Sequence, residues 1–167
     1  FLQGVRRLCD ERGMLLIIDE VQTGLGRTGE WFGFQHAGIV PDVVTMAKGL
    51  GNGVPIGAVW ATADVAAAFR PGDHGSTFAG QPLAAAGARE VLRIMEEMDA
   101  PRMARERGAE LTALLEAIPG VSSVRGLGLL LGVELDPPAL AGRTAAHDAR
   151  ACLDAGMVVN GVTTTAL

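Results

Sequence analysis

Five consecutive apolar residues, Met14-Leu15-Leu16-Ile17-Ile18, run directly into two acids, Asp19-Glu20, and then into the glycine-rich segment Thr23-Gly24-Leu25-Gly26-Arg27-Thr28-Gly29. No other stretch of the chain restricts its fold so strongly. A short unbroken apolar run suits a strand buried on both faces of a parallel sheet. An acid immediately after it sits at the carboxyl end of that strand, where functional groups gather in open α/β sheets. Such a carboxylate needs a partner, because an unpaired buried charge is very costly.

The pattern returns in shorter form downstream. Pro41-Asp42 opens a second strand, Val43 to Met46, which delivers Lys48 into a glycine-rich loop ending at Pro55, and Ile56 to Ala61 reads as a third strand. Before the first strand, Leu2, Val5, Leu8 and Cys9 fall at helical spacing, with Gly13 as the stop signal. Thr62 is placed to cap a short helix through Phe69, and Arg70-Pro71-Gly72-Asp73 to form a turn. After Gly75-Ser76-Thr77-Phe78 a long helix is expected, with Pro82 near its first turn and Leu83, Val91, Leu92 and Met95 as apolar positions. Pro101 begins another, carrying Leu111, Leu114, Leu115 and Ile118. From Val121 the character changes to strands, at Val133 to Leu135 and Met157 to Val159, with a helix from about Thr144 to Ala155 between them. A boundary near residue 100 follows: residues 1–99 read as α/β with a mostly parallel sheet, and residues 100–167 as a smaller α+β unit.

Composition matters chiefly through Lys48. It is the only lysine, the other 13 basic residues being arginines. A guanidinium can replace an ammonium at most solvated positions, but it cannot form a useful imine with an aldehyde. A lone lysine at a strand end therefore invites a chemical explanation, against the plainer one of a leftover surface residue. The net charge of −5 and pI near 5.1 argue against a nucleic-acid surface. No apolar run approaches the roughly 20 residues needed to span a bilayer, so neither nucleic acid nor membrane is an expected partner. The 49% hydrophobic and 20% charged content describes a globular chain, and the first residues show neither an initiator Met nor a secretory signal. Cys9 and Cys152 stand alone, form no metal-spaced pair, and point to a reducing cytoplasm. His36, His74 and His147 also lack metal spacing and read as structural or solvated, so no metal is expected. Arg102, Arg105, Glu106, Arg107 and Glu110 read as the wet face of a helix.

Two other readings of Asp19 compete with a catalytic one. It could cap a loop or helix, or it could be the acid that ends a Walker B strand. The latter needs a G-x-x-x-x-G-K-[ST] loop, and Lys48 precedes its glycines and is not followed by Ser or Thr.

Three ordered blocks decide between these: Leu16-Ile17-Ile18-Asp19-Glu20-Val21-Gln22-Thr23-Gly24, Pro41-Asp42-Val43-Val44-Thr45-Met46-Ala47-Lys48-Gly49 and Gly75-Ser76-Thr77-Phe78. Together they resemble the class III (ornithine/acetylornithine type) aminotransferases over essentially the whole chain. The resemblance implies part of the fold type I large domain over residues 1–99, an incomplete small C-terminal domain over 100–167, and pyridoxal 5'-phosphate (PLP) as cofactor. It implies that Lys48 is the Schiff-base lysine and proton shuttle, that Asp19 pairs with the pyridine nitrogen, that Val21 packs on one ring face, and that Gln22 hydrogen-bonds near the phenolic oxygen. It implies that Thr77 binds the cofactor phosphate of a neighbouring subunit, hence a homodimer with shared active sites. Ala79, Gly80 and Gln81 stand where the family usually has two glycines and an asparagine.

Gly156 to Thr163 and Arg125 to Gly132 look most like members acting on N-acetylornithine. That implies transfer of its terminal amine to 2-oxoglutarate in arginine biosynthesis. Members acting on ornithine, succinylornithine or 4-aminobutyrate remain alternatives, as does an inactive truncated remnant. The chain is well under half the family's usual length, and the family's N-terminal phosphate loop, its second ring-stacking aromatic and its substrate-carboxylate arginine find no counterpart in it. The 167 residues alone are therefore expected to be inactive or very weak.

Overall fold

The computed structural model describes residues 1–167. The chain divides into two compact units, Phe1–Ala104 and Arg105–Leu167.

The first unit begins with helix α1, Leu2–Arg12, which ends on Gly13 in the left-handed conformation. Strand β1, Ile17–Asp19, pairs in parallel with β2, Val43–Met46. The register sets Ile17 beside Val43, Ile18 beside Val44 and Asp19 beside Thr45. Strand β3, Ala58–Ala61, completes a three-stranded sheet of order β1-β2-β3 but runs antiparallel to β2. The link from Ala47 to Gly57 is shorter than the dozen or so residues that a parallel crossover requires, so the chain can only turn back. Helix α2, Ala63–Ala66, is a single turn behind Thr62, whose side chain makes no capping bond. Helix α3, Pro82–Glu97, starts with Pro82 in its first turn, and helix α4 spans Ala100–Glu116.

Cys9, Leu16 and Ile39 form the buried cluster, with Leu2, Val5, Ile18, Phe34 and Ala37 packed against it. The apolar stripe of α1 thus covers the Ile18 side of β1. Asp42 ties this arrangement together. Its Oδ2 accepts from the Leu16 N–H at 2.7 Å and from Arg6 Nη1 at 2.8 Å, while its own N–H donates to the Leu16 carbonyl at 2.9 Å. The Leu16 bond and then the Arg6 bond hold the Asp42 carboxyl below the usual carboxylate range.

Two expectations for this unit change. The apolar run does not form strand along its whole length, because Leu16 is bound by the Asp42 side chain and backbone instead of a ladder partner. Within these 167 residues β1 ends the three-stranded sheet and one face is open: Ile17 and Val59, alternating with the covered Ile18 and Val44, are 61% and 67% exposed.

In the second unit, β4, Val121–Leu127, and β5, Leu130–Leu135, form an antiparallel hairpin closed at Leu127 and Leu130. Helix α5, Pro137–Leu140, and helix α6, Ala145–Asp154, follow. Met157 to Val159 is not a strand. The partner of β5 is the end of the chain: Val133 and Leu167 exchange backbone bonds at 2.9 Å, and the Leu135 N–H reaches the Thr165 carbonyl at 2.8 Å. Gly126-Leu127-Gly128 therefore belongs to the hairpin end. A Cβ on Gly108 of α4 would lie 2.0 Å from the Gly128 carbonyl oxygen, so helix and hairpin meet backbone to backbone there. No helix is long and apolar enough to cross a membrane.

Candidate active site

The parallel register of β1 and β2 sets Asp19 and Thr45 side by side at the carboxyl ends of both strands. Asp19 Oδ1 accepts the Thr45 hydroxyl at 3.0 Å and the Val21 N–H at 3.0 Å. The Val21 bond first, then the Thr45 bond and the nearby charge of Lys48, hold the Asp19 carboxyl below the usual range despite an opposing effect of burial. Asp19 is thus kept anionic on an exposed part of the sheet edge, where a cationic group can reach it.

Lys48 opens a single 3-10 turn, Lys48–Leu50, directly after β2. Its φ of 44° lies in the left-handed region, which is uncommon for a side chain other than Gly, Asn or Asp and is found preferentially at functional sites. Lys48 Nζ donates to Gln22 Oε1. The same lysine lines an open groove of about 460 Å³ with Gly49, Asn52, Gly53, Val54, Pro55 and Ile56. An amine, an amide and an anionic carboxylate thus stand together at the ends of two adjacent strands. That set matches a group carrying an aldehyde or carbonyl, a hydroxyl and a cationic ring nitrogen.

The turn between Asp19 and Gln22 is held by Glu20, to which sequence reasoning assigned no role. Glu20 is 2% exposed. Its Oε2 accepts from the Thr23 hydroxyl and from the Gly33 N–H at 3.0 Å, and its Oε1 accepts from the Phe34 N–H at 2.9 Å. A Cβ on Gly33 would stand 3.2 and 3.3 Å from the two carboxylate oxygens, so glycine lets the chain approach closely. The available signal was a second acid after the apolar run with a Gly-aromatic pair some way downstream, which carries no spacing rule.

Of the five residues singled out from sequence, Asp19 is hydrogen-bonded to Val21 and Lys48 to Gln22, and the Lys48 charge acts on Asp19. Thr77 is exposed in the turn at residues 77–80, outside that group. His36 Nε2 lies 3.1 Å from both the carbonyl and the hydroxyl of buried Thr28, and the His74 ring packs on Phe69. No cluster of His, Cys, Asp and Glu is arranged to hold a metal ion. Arg125 pairs with Glu134 at 2.5 Å across the β4–β5 hairpin, which is a structural role.

Residues 1–166 match the family described as aminotransferase class-III. The acetylornithine aminotransferase of Corynebacterium efficiens is 56% identical over 138 residues, covering 83% of this chain and 34% of that protein. An ornithine aminotransferase from Toxoplasma gondii, crystallised with oxidized glutathione and described with partial occupancy of PLP at its active site, superposes with a TM-score of 0.86. It is 35% identical, over 99% of this chain and 39% of that one. The acetylornithine aminotransferase from Elizabethkingia anophelis gives a TM-score of 0.84 at 31% identity, over 99% of this chain and 42% of that one. The chain thus spans 34% to 42% of the length of these relatives. With its lysine, acid and glutamine gathered at the strand ends, the chain belongs to the class III aminotransferases, a PLP-dependent family.

Proposed function

We propose that this chain carries the lysine-bearing part of an ω-aminotransferase that moves the terminal amine of N-acetylornithine to 2-oxoglutarate in arginine biosynthesis. The observation that carries the reading is the Lys48 amine on Gln22, beside an Asp19 held anionic. The names of the relatives at 50% identity and above supply the substrate.

PLP, when bound, supplies an aldehyde and a protonated pyridine ring that draws electrons from the amine-bearing carbon of the substrate. Lys48 would hold the cofactor through Nζ, and the same amine would serve as the base that moves a proton at that atom. Asp19, whose lowered pKa leaves a carboxylate at neutral pH, would pair with the pyridine nitrogen and keep it protonated. Gln22 orients the amine of Lys48 and would hydrogen-bond near the phenolic oxygen, and Val21 would pack against one ring face. Thr77 takes the cofactor phosphate of a neighbouring subunit, which makes the protein a homodimer with shared active sites. In this reading residues 1–99 belong to the large domain, residues 100–167 to the small one, and the free thiols Cys9 and Cys152 suit the cytoplasm.

Ornithine is the second reading, because solved structures with a TM-score of 0.86 are ornithine aminotransferases. Steady-state kinetics of the full-length protein with each amine decide between them. A kcat/KM at least about tenfold higher for N-acetylornithine supports the first reading, since a site built around an acyl group loses paired contacts with the free amine. A preference for ornithine, succinylornithine or 4-aminobutyrate overturns it.

A further inference from the structure

The carboxylate of Glu20 is buried at 2% exposure and does not line the Lys48 groove. Three donors converge on it from two separate stretches of chain: the Thr23 hydroxyl on one side, the Gly33 and Phe34 N–H groups on the other. Its backbone is equally engaged. The Glu20 N–H donates to the Thr45 carbonyl at 3.0 Å, extending the β1–β2 ladder by one step, and its carbonyl accepts the Gly24 N–H at 2.9 Å. The two residues between these anchors are Val21, whose N–H holds Asp19, and Gln22, whose side chain holds Lys48. Val21 and Gln22 have no comparable anchor of their own, so the position of this turn follows from what Glu20 grips.

We propose that Glu20 is the positioning residue of the cofactor site: by clamping the 33–34 backbone to the turn after β1, it selects the conformation in which Val21 meets Asp19 and Gln22 meets Lys48. Hydrogen bonds to an acid of this kind are among the stronger ones, and an amide in its place would turn its N–H groups toward one of the two backbone N–H donors. With Glu20→Gln the turn opens, the cofactor-competent fraction falls, and apparent cofactor affinity falls in proportion. Loss of the Gln22 contact also changes the surroundings of Lys48 Nζ, so the pH midpoint of the bound cofactor's visible band moves.

The inference rests on the PLP reading above, and its test separates the two. In the full-length protein, PLP dissociation constants and the pH midpoint of the visible band are measured for unsubstituted protein, Glu20→Gln, Gly33→Ala and Asp42→Asn, below the thermal transition of each. Asp42→Asn removes a carboxylate that binds Arg6 and Leu16, and serves as a destabilised control away from Lys48. The expected result is a Kd raised about tenfold or more by Glu20→Gln with a displaced midpoint, an intermediate effect of Gly33→Ala, and an unchanged Kd and midpoint for Asp42→Asn. If Glu20→Gln does not fold, Gly33→Ala and Thr23→Val carry the same comparison. A Kd within about twofold of unsubstituted protein for the clamp variants, or an equal rise in Asp42→Asn, overturns the positioning role alone. Failure of the unsubstituted protein to take up PLP overturns the cofactor reading instead.

Discussion

Lys48 and Asp19 each combine a chemical demand with a backbone one. Lys48 presents its amine to Gln22 from a left-handed backbone, φ 44°, at the start of the turn after β2. Lys48→Arg keeps charge and approximate size but has no amine able to join an aldehyde. Transamination by the full-length protein should fall at least a thousandfold, to within roughly the range that loss of a covalent base produces, with no lysine-dependent absorbance in a PLP titration. Asp19 gives a pH prediction of definite sign. Its pKa is lowered, so the anion persists through neutral and mildly acid solution and is lost only as pH falls through a value below the ordinary one. Cofactor occupancy should therefore stay level from about pH 8 down to about pH 5, and Asp19→Asn should lower it throughout that window. Occupancy read from the visible band against pH checks this, and a fall centred near neutrality would contradict it.

At the scale of elements, close approaches decide which substitutions matter. Gly108 and Gly87 are both helical, but a Cβ on Gly108 would meet the Gly128 carbonyl oxygen at 2.0 Å whereas nothing lies within 4 Å of Gly87. Gly108→Ala should cost about 1–3 kcal/mol by forcing α4 off the hairpin, and Gly87→Ala should stabilise α3 by about 0.5–1 kcal/mol. Thermal melts of the two variants should shift in opposite directions. Asp42 links α1, β1 and β2 through the Leu16 N–H and Arg6. Its lowered pKa means that this support is complete above the ordinary carboxylate value and disappears as pH drops through the lower folded value. The gap in melting temperature between unsubstituted protein and Asp42→Asn should be full near neutrality and shrink as pH falls below the ordinary carboxylate value.

One face of the β1–β3 sheet is open. Ile17 and Val59 on the sheet, with Leu15 beside them, are 61%, 67% and 57% exposed, and the chain spans 34% to 42% of its relatives' length. Thr77 stands outside the group that holds Lys48. The 167-residue chain on its own should therefore show no transamination above background, while a full-length protein containing it does. A coupled assay for glutamate formation on both compares them directly, and activity in the short chain would overturn the shared-site reading.

The order of elements was legible in sequence because it depends on local patterns. The five-residue apolar run, Gly13, Pro82 and Thr144 mark β1, the end of α1 and the starts of α3 and α6 without reference to distant residues. The chemical character of Lys48 was legible for a related reason: only one amine exists in the chain, and it follows a strand. Other features were decided by tertiary structure. The direction of β3 depended on the length of a loop, and the open face of β1 on which side α1 covers. Beside β4, strand β5 also meets the last three residues, while Met157 to Val159 forms no strand. Glu20 shows the difference most clearly. In sequence it is one more acid beside Asp19; in the structure, donors more than ten residues away in the chain converge on it, and no local pattern records such a convergence.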